Sequence, residues 1–189
     1  MITFRHWVEN LAKAIEFGTD RHKTQTRLFS GAPYFTHLSR VASIVKQYTQ
    51  DEEIIMAAYL HDTVEDTKTS YEEIEEQFGP RVAALVKELT NVDEQIQAMG
   101  KPQYHLQKMT TMSDDALLIK LADKLDNTSG FDDDAQHVQR KDPNGMGAYQ
   151  SFVDRLKSDN LYVMTELPKK RRLNPAQQAL LQKVMANVS

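Results

Sequence analysis

The chain has 189 residues, 40% of them hydrophobic, with 7 glycines, 6 prolines and no cysteine, which suits one domain core or a core with an appendage. Without cysteine there are no disulfides and no thiolate chemistry, so any metal must be held by histidines and carboxylates. The formal charge of −4 argues against nucleic acid as the main partner, and no apolar stretch reads as a signal peptide or membrane helix, so a cytoplasmic protein with no membrane partner is expected.

Phe4, Trp7, Val8, Leu11, Ala14 and Ile15 recur at three and four, which predicts an amphipathic first helix forming a core wall. Asp20 to Arg27 interrupts that rhythm with Arg21, His22, Lys23 and Arg27, and Ser30-Gly31-Ala32-Pro33 supplies a turn. Composition favours a solvated connection here over an anion-facing loop. Thr36 is placed to cap a second helix carrying His37, Val41, Ile44, Val45 and Tyr48 on one face. Taken alone, His37 at the head of that stripe reads as a hydrogen-bonded core residue. Asp51-Glu52-Glu53 puts acids where the dipole of a third helix favours them.

That third helix runs from Ile54 to Leu60 without a polar residue, then ends in His61-Asp62-Thr63-Val64-Glu65-Asp66. An apolar run with no polar face belongs in the middle of a core. Ionisable groups at its end are costly to bury unless paired or bound to a cation. If the helix continues, Glu65 follows His61 by four residues and Asp62 by three, so all three face one site.

Ser70 to Glu73 is a capping-box pattern for a short helix stopping at Gly79, and Pro80 opens the next, striped by Val82, Leu85, Val86 and Leu89. Asn91 to Met112 is poorly periodic, with Gly100-Lys101-Pro102 a break and Tyr104 to Met112 a candidate helix. Ser113 caps a strongly apolar helix, Ala116 to Asn127, in which Asp123 stands among Leu117, Leu118, Leu121, Ala122 and Leu125. A carboxylate so placed needs a partner, and an ion pair with Lys120 or Lys124 is the plain reading. Thr128 to Gly147 reads as a long polar loop; Asp132-Asp133-Asp134 lacks calcium-loop spacing. Ala148 to Met164 reads as a helix, Lys169 to Arg172 as a basic linker, and Asn174-Pro175 as the start of a last helix. No strand alternation or glycine-rich phosphate loop is present, so the expectation is an all-α fold. Residues 1–167 form the domain, and 168–189 form a basic linker and a terminal helix packed on it or extending it.

His37, His61, Asp62 and Asp123 together make a mixed nitrogen and oxygen donor set, suited to Mn²⁺, Zn²⁺, Fe²⁺ or Co²⁺ with positions left for water and substrate. Glu65 and Asp66 are placed to orient or deprotonate that water, or to protonate a leaving group. The reaction class is metal-assisted hydrolysis.

His37, His61-Asp62 and Asp123 in this order resemble the H…HD…D signature of the HD phosphohydrolase superfamily. The extended set is more specific: His22-x-x-Gln25-x-Arg27, Gly31 to His37, Ala58 to Thr67, Phe78-Gly79, and Lys120 to Leu125 with Asn127. It is similar to the hydrolase domain of RelA/SpoT alarmone enzymes and to the small alarmone hydrolases, over roughly Asp20 to Asn127. The resemblance implies an HD-domain helical bundle with its metal site between central helices. It implies a Mn²⁺ enzyme that removes the 3′-pyrophosphate of guanosine tetra- or pentaphosphate, giving GDP or GTP and pyrophosphate, without synthetase activity. Carried over, His37, His61, Asp62 and Asp123 are the metal ligands and Glu65 and Asp66 the acid/base pair. Arg27 lies against the base, Asn127 holds the nucleoside, and Lys120 faces the substrate. The chain departs from the family pattern at Leu28 and at Thr128-Ser129-Gly130, both expected near the nucleotide. That leaves open a phosphatase for another nucleotide, such as NADPH, whose 2′-phosphate some relatives remove, or a nucleoside phosphate, and a silent regulatory domain that keeps the pocket. A homo-oligomer is compatible with this reading.

Overall fold

The computed structural model describes residues 4–189, with side chains from Val8 onward. Its centre is set by the two most apolar segments. Asp51 accepts hydrogen bonds from the amides of Glu53 and Ile54 and starts α3 (Glu52–Leu60), in which every residue from Ile54 to Leu60 is buried. Ser113 caps the Ala116 amide and starts α9 (Asp114–Asn127), buried from Ala116 to Lys124. Neither helix has a solvent face, so each must be walled on several sides. α1 (Phe4–Arg21), α2 (Phe35–Val45) and α6 (Pro80–Leu89) pack on α3, while α2, α6 and α12 (Pro175–Val188) pack on α9. Arg81 ties this centre at the surface, reaching Asp51, Glu53 and Asp115.

The remaining helices are α4 (Thr63–Asp66), α5 (Tyr71–Phe78), α7 (Asp93–Met99), α8 (Lys101–Thr111), α10 (Phe131–Lys141) and α11 (Met146–Lys170), with a 3-10 turn at Pro143–Gly145. No strand occurs among the described residues, only an isolated bridge between Thr26 and Pro33. No described helix is long and apolar enough to cross a membrane.

Several boundaries differ from the sequence reading. α2 starts at Phe35 with Tyr34 as its cap residue, and the Thr36 hydroxyl donates to the Pro33 carbonyl at 2.7 Å instead of capping an amide. Val8 is 45% exposed, so it is not core, while Phe4 and Trp7 lie outside the described side chains. α3 does not run on through Glu65: it stops at Leu60, and His61 and Asp62 occupy the turn before α4. No glycine or proline marks that break.

Thr128 to Gly147 is mostly helical. Phe131, Ala135 and Val138 of α10 form a narrow apolar stripe that packs on Phe29, Tyr149, Phe152 and Val153 as a small second core, and the run of aspartates conceals that stripe in the sequence. Asn91 to Met112 forms α7 and α8, separated by Gly100 at φ 82, a backbone angle that favours glycine. Lys169 and Lys170 close α11, whereas Arg171 grips the Met109 and Met112 carbonyls and Asp114, seating the start of α12. α12 itself packs along α9 and α11.

Candidate functional site

The turn after α3 and the facing flanks of α2 and α9 bring His37, His61, Asp62 and Asp123 together. His37, His61 and Asp123 are buried and each offers one ligand atom, all within 4.8 Å of one another. Asp62 completes the group, with Oδ2 3.6 Å from His37 Nε2 and Oδ1 3.3 Å from His61 Nε2. Asp123 Oδ1 lies 3.3 Å from His37 Nε2 and 3.8 Å from His61 Nε2.

The ring orientations leave the Nε2 atoms for a cation. His61 Nδ1 lies 2.9 Å from the Ala58 carbonyl, which can only accept, so Nδ1 carries the proton and Nε2 keeps its lone pair. That Nε2 is buried without a hydrogen-bond partner. His37 Nδ1 lies 2.7 Å from Asp126 Oδ2, which likewise turns Nε2 inward. A buried acceptor nitrogen among carboxylate oxygens is costly unless a cation or a proton lies between them. The donor set therefore fits a divalent transition metal.

Burial alone would lower the pKa of His37, but hydrogen bonds to Asp123 and Asp126 and the charges of Asp123 and Asp62 outweigh it and bring it up to about 9. Burial would raise that of Asp123, but Lys120, His37 and His61 hold it well below the usual carboxylate range. Lys120 Nζ lies 3.0 Å from Asp123 Oδ2, the ion pair expected from their spacing, while Lys124 instead donates to His105 Nδ1 at 2.8 Å.

Three supporting residues had no assigned role in the sequence reading. Arg40 grips Asp126 at 2.6 and 3.0 Å, so the buried Asp126 is held by Arg40 and His37 together. Tyr34 donates to Asp62 Oδ2 at 2.7 Å and stacks on the buried ring of His22. Arg40 stands three residues after His37, and Asp126 three after Asp123, a spacing that places each pair on one helix face. That spacing is the signal available for Arg40 and Asp126. Nothing local marks Tyr34.

Tyr34, Asp62, Lys120 and Asp123 form the floor of a cavity of about 430 Å³, with His37 and His61 buried next to these carboxylates. Arg27 reaches it from a tight loop closed by hydrogen bonds from the Arg27 amide to the Ala32 carbonyl and from the Gly31 amide to the Arg27 carbonyl. The solvated reading of this segment is therefore corrected: His22 is 1% exposed and Arg27 lines the cavity. Arg27 donates to Asn127 Oδ1 at 3.0 Å, and Asn127 donates to Asp123 Oδ1 at 2.6 Å, linking the loop to the floor. Glu65 and Asp66 line the cavity too. Both Glu65 oxygens accept from Asn91, through its amide at 2.7 Å and its side chain at 2.9 Å. The surrounding protein and the charge of Asp62 push the Asp66 carboxyl up to about 6. Leu28 stands on the rim, 79% exposed. Thr128 and Ser129 do not line the cavity; their hydroxyls bond to carbonyls of α9 and receive Asn187 of α12.

Residues 14–157 match the family described as HD domain. The chain belongs to the HD domain family. This HD domain is 40% identical over 121 residues to the guanosine-3′,5′-bis(diphosphate) 3′-pyrophosphohydrolase of Aquifex aeolicus, covering 63% of the chain and 17% of that relative. It is 38% identical over 118 residues to the Drosophila melanogaster pyrophosphohydrolase MESH1, covering 61% of the chain and 65% of that relative. The alignments thus span less than two thirds of either relative. Among solved structures, a metazoan ortholog of SpoT, described as hydrolysing ppGpp with a role in starvation responses, superposes with a TM-score of 0.73 at 30% identity over 94% of both chains. The protein lmo0812 of Listeria monocytogenes shares the fold of the HD domain, with a TM-score of 0.62 at 24% identity over 80% of this chain and 96% of that one.

Proposed function

We propose that this HD domain is a metal-dependent pyrophosphohydrolase acting on the 3′-diphosphate of guanosine tetra- or pentaphosphate. The observation that carries the reading is the convergence of two inward-facing imidazole nitrogens on two carboxylates that line a cavity together with Glu65 and Asp66. The named activities of the relatives give the substrate class. His37, His61, Asp62 and Asp123 would hold the metal. Mn²⁺ is our choice, and the same donors accept Zn²⁺, Fe²⁺ or Co²⁺. When bound, the cation supplies Lewis-acid stabilisation of charge on the reacting phosphoryl group.

The chain's own residues do the rest. Hydrolysis forms a bond from water oxygen to the phosphorus carried by the 3′-oxygen and breaks the bond from that phosphorus to the 3′-oxygen. The products are pyrophosphate and a nucleoside 5′-di- or triphosphate with a free 3′-hydroxyl. Glu65, fixed by Asn91, orients the water and takes its proton. Asp66, with its affinity for protons raised, returns one to the departing 3′-oxygen. Arg27 offers its guanidinium plane to the base, Asn127 anchors the nucleoside, and Lys120 faces the phosphates.

The test is a nucleotide panel with the Mn²⁺-loaded protein, read by product analysis. Pyrophosphate and GDP from guanosine tetraphosphate are expected. Orthophosphate from NADPH with the alarmone untouched would replace this reading with a 2′-phosphatase, and no turnover of any nucleotide would make the domain a silent binder.

A further inference from the structure

The cavity has a second wall, of two lysines and a histidine, that the four proposed metal ligands and the acid/base pair do not use. It is built from α8 and α9. Lys124, 7% exposed, makes no ion pair; its ammonium donates at 2.8 Å to His105 Nδ1 and to nothing else. Since Nδ1 accepts there, the proton of a neutral His105 ring sits on Nε2. His105 is 6% exposed, and its Nε2 is buried with no hydrogen-bond partner. Lys101 lies on the rim of the same wall, and its side chain makes no hydrogen bond or ion pair among the described residues. Lys120, beside them, is committed to Asp123. Burial and the charges of Lys120 and Lys101 hold the Lys124 amine below the usual lysine range, against Asp123 and Asp159, which act on it only through space.

A buried lysine whose one partner is a neutral ring nitrogen and a buried N–H with none cost stability, and an oxyanion offsets both. A solvated surface role is excluded for Lys124 and His105 because both are buried. A carboxylate partner from the protein is excluded because none lies within ion-pair distance among the described residues.

We propose that Lys124, His105 and Lys101 form a phosphate receptor that holds the outer phosphate of the pyrophosphoryl group, while Lys120 and the metal floor face the inner one. This rests on the proposed hydrolase reading, since that reading puts a two-phosphate group at the floor of the cavity. It predicts that free pyrophosphate binds as a product and competes with substrate, whereas orthophosphate, which spans only one of the two positions, binds weakly.

Calorimetric titration of the metal-loaded full chain with pyrophosphate, orthophosphate and GDP tests it, with melting temperature as the control for folding. Lys124→Met should weaken pyrophosphate binding roughly tenfold or more, the loss of one charge-assisted hydrogen bond, and leave GDP binding within about twofold, with that same loss as the yardstick. His105→Gln and the rim variant Lys101→Ala should each weaken pyrophosphate several-fold, and Lys101→Ala keeps the test decisive should the buried variants fail to fold. Unchanged pyrophosphate affinity in the folded variants overturns the receptor, as does a loss confined to GDP, which would assign this wall to the 5′-diphosphate. Pyrophosphate binding that depends on Lys124 in a protein without alarmone turnover supports the receptor and removes the proposed reaction. Turnover with binding indifferent to all three residues overturns the receptor alone.

Discussion

His37 Nδ1 lies 2.7 Å from Asp126 Oδ2, and Asp126 is itself gripped by Arg40 at 2.6 and 3.0 Å. The carboxylate fixes which imidazole nitrogen faces the metal floor, and the guanidinium keeps the carboxylate from turning away. Partners of this kind typically contribute 10- to 100-fold to metal affinity. Asp126→Asn should therefore weaken Mn²⁺ binding by about 10- to 100-fold, measured by competition with a chelating dye. Arg40→Ala should follow in the same direction by a smaller factor. Unaltered affinity in both would show that the pair serves packing alone.

Asp62 and Asp123 are both proposed ligands, yet their removal should differ in the metal-free protein. Lys120 is 5% exposed and its carboxylate partner is Asp123. Asp123→Ala leaves that ammonium buried and unpaired, at a cost of about 3–5 kcal/mol. Asp62 is less enclosed and loses chiefly its bond from Tyr34, so Asp62→Ala should cost about 1–2 kcal/mol. Saturating Mn²⁺ at about 100 times its dissociation constant should stabilise the wild type by about 2.7 kcal/mol. That is a rise of very roughly 5–10 °C in melting temperature, and it should be lost in both variants. Thermal melts with and without Mn²⁺ measure all four quantities.

Glu65 is held at both oxygens by Asn91, which argues for a fixed proton acceptor and against a mobile ligand. Glu65→Gln should keep Mn²⁺ affinity while lowering kcat by about 10²- to 10⁴-fold. Asn91→Ala, which frees the carboxylate without removing it, should lower kcat by a smaller factor. Steady-state kinetics beside metal titration check this, and a metal-free Glu65→Gln protein would contradict the assignment.

The raised pKa of Asp66 has a consequence for stability. With a folded-state value of about 6 against an ordinary 3.8, the folded chain binds more protons than the unfolded chain between those values. Stability therefore falls as pH rises through that window, and the penalty is absent below about 4 and complete above about 6. Asp66→Asn removes the penalty, so its melting temperature relative to wild type should climb between pH 4 and pH 7 in the metal-free protein. A difference that stays flat across that range would return Asp66 to an ordinary solvated carboxyl.

Much of the bundle was legible because its signals are local. Ser70, Ser113 and Asn174 cap the helices that their spacing announces, and Gly79-Pro80 separates α5 from α6. The helices that escaped notice, α7 and α10, are those with little buried surface: α7 buries no residue fully and α10 only Val138. Their periodicity is weak because they cover a core without forming it. The break between α3 and α4 was hidden for another reason. Its residues are compatible with helix, and the turn falls where His61 and Asp62 face His37 and Asp123.

The sequence by itself determined the all-helical class, the two core segments α3 and α9, and the residue types able to bind a cation, because helical period and capping depend on neighbours three and four apart. Only the tertiary structure decided which groups meet. His37 and Asp126 are 89 positions apart, Arg27 and Asn127 are 100, and Glu65 and Asn91 are 26. Their encounters depend on how whole helices dock, and that follows from burying α3 and α9 on all sides at once. The same docking sealed Lys124 against His105 and left a second wall of the cavity facing the proposed metal site.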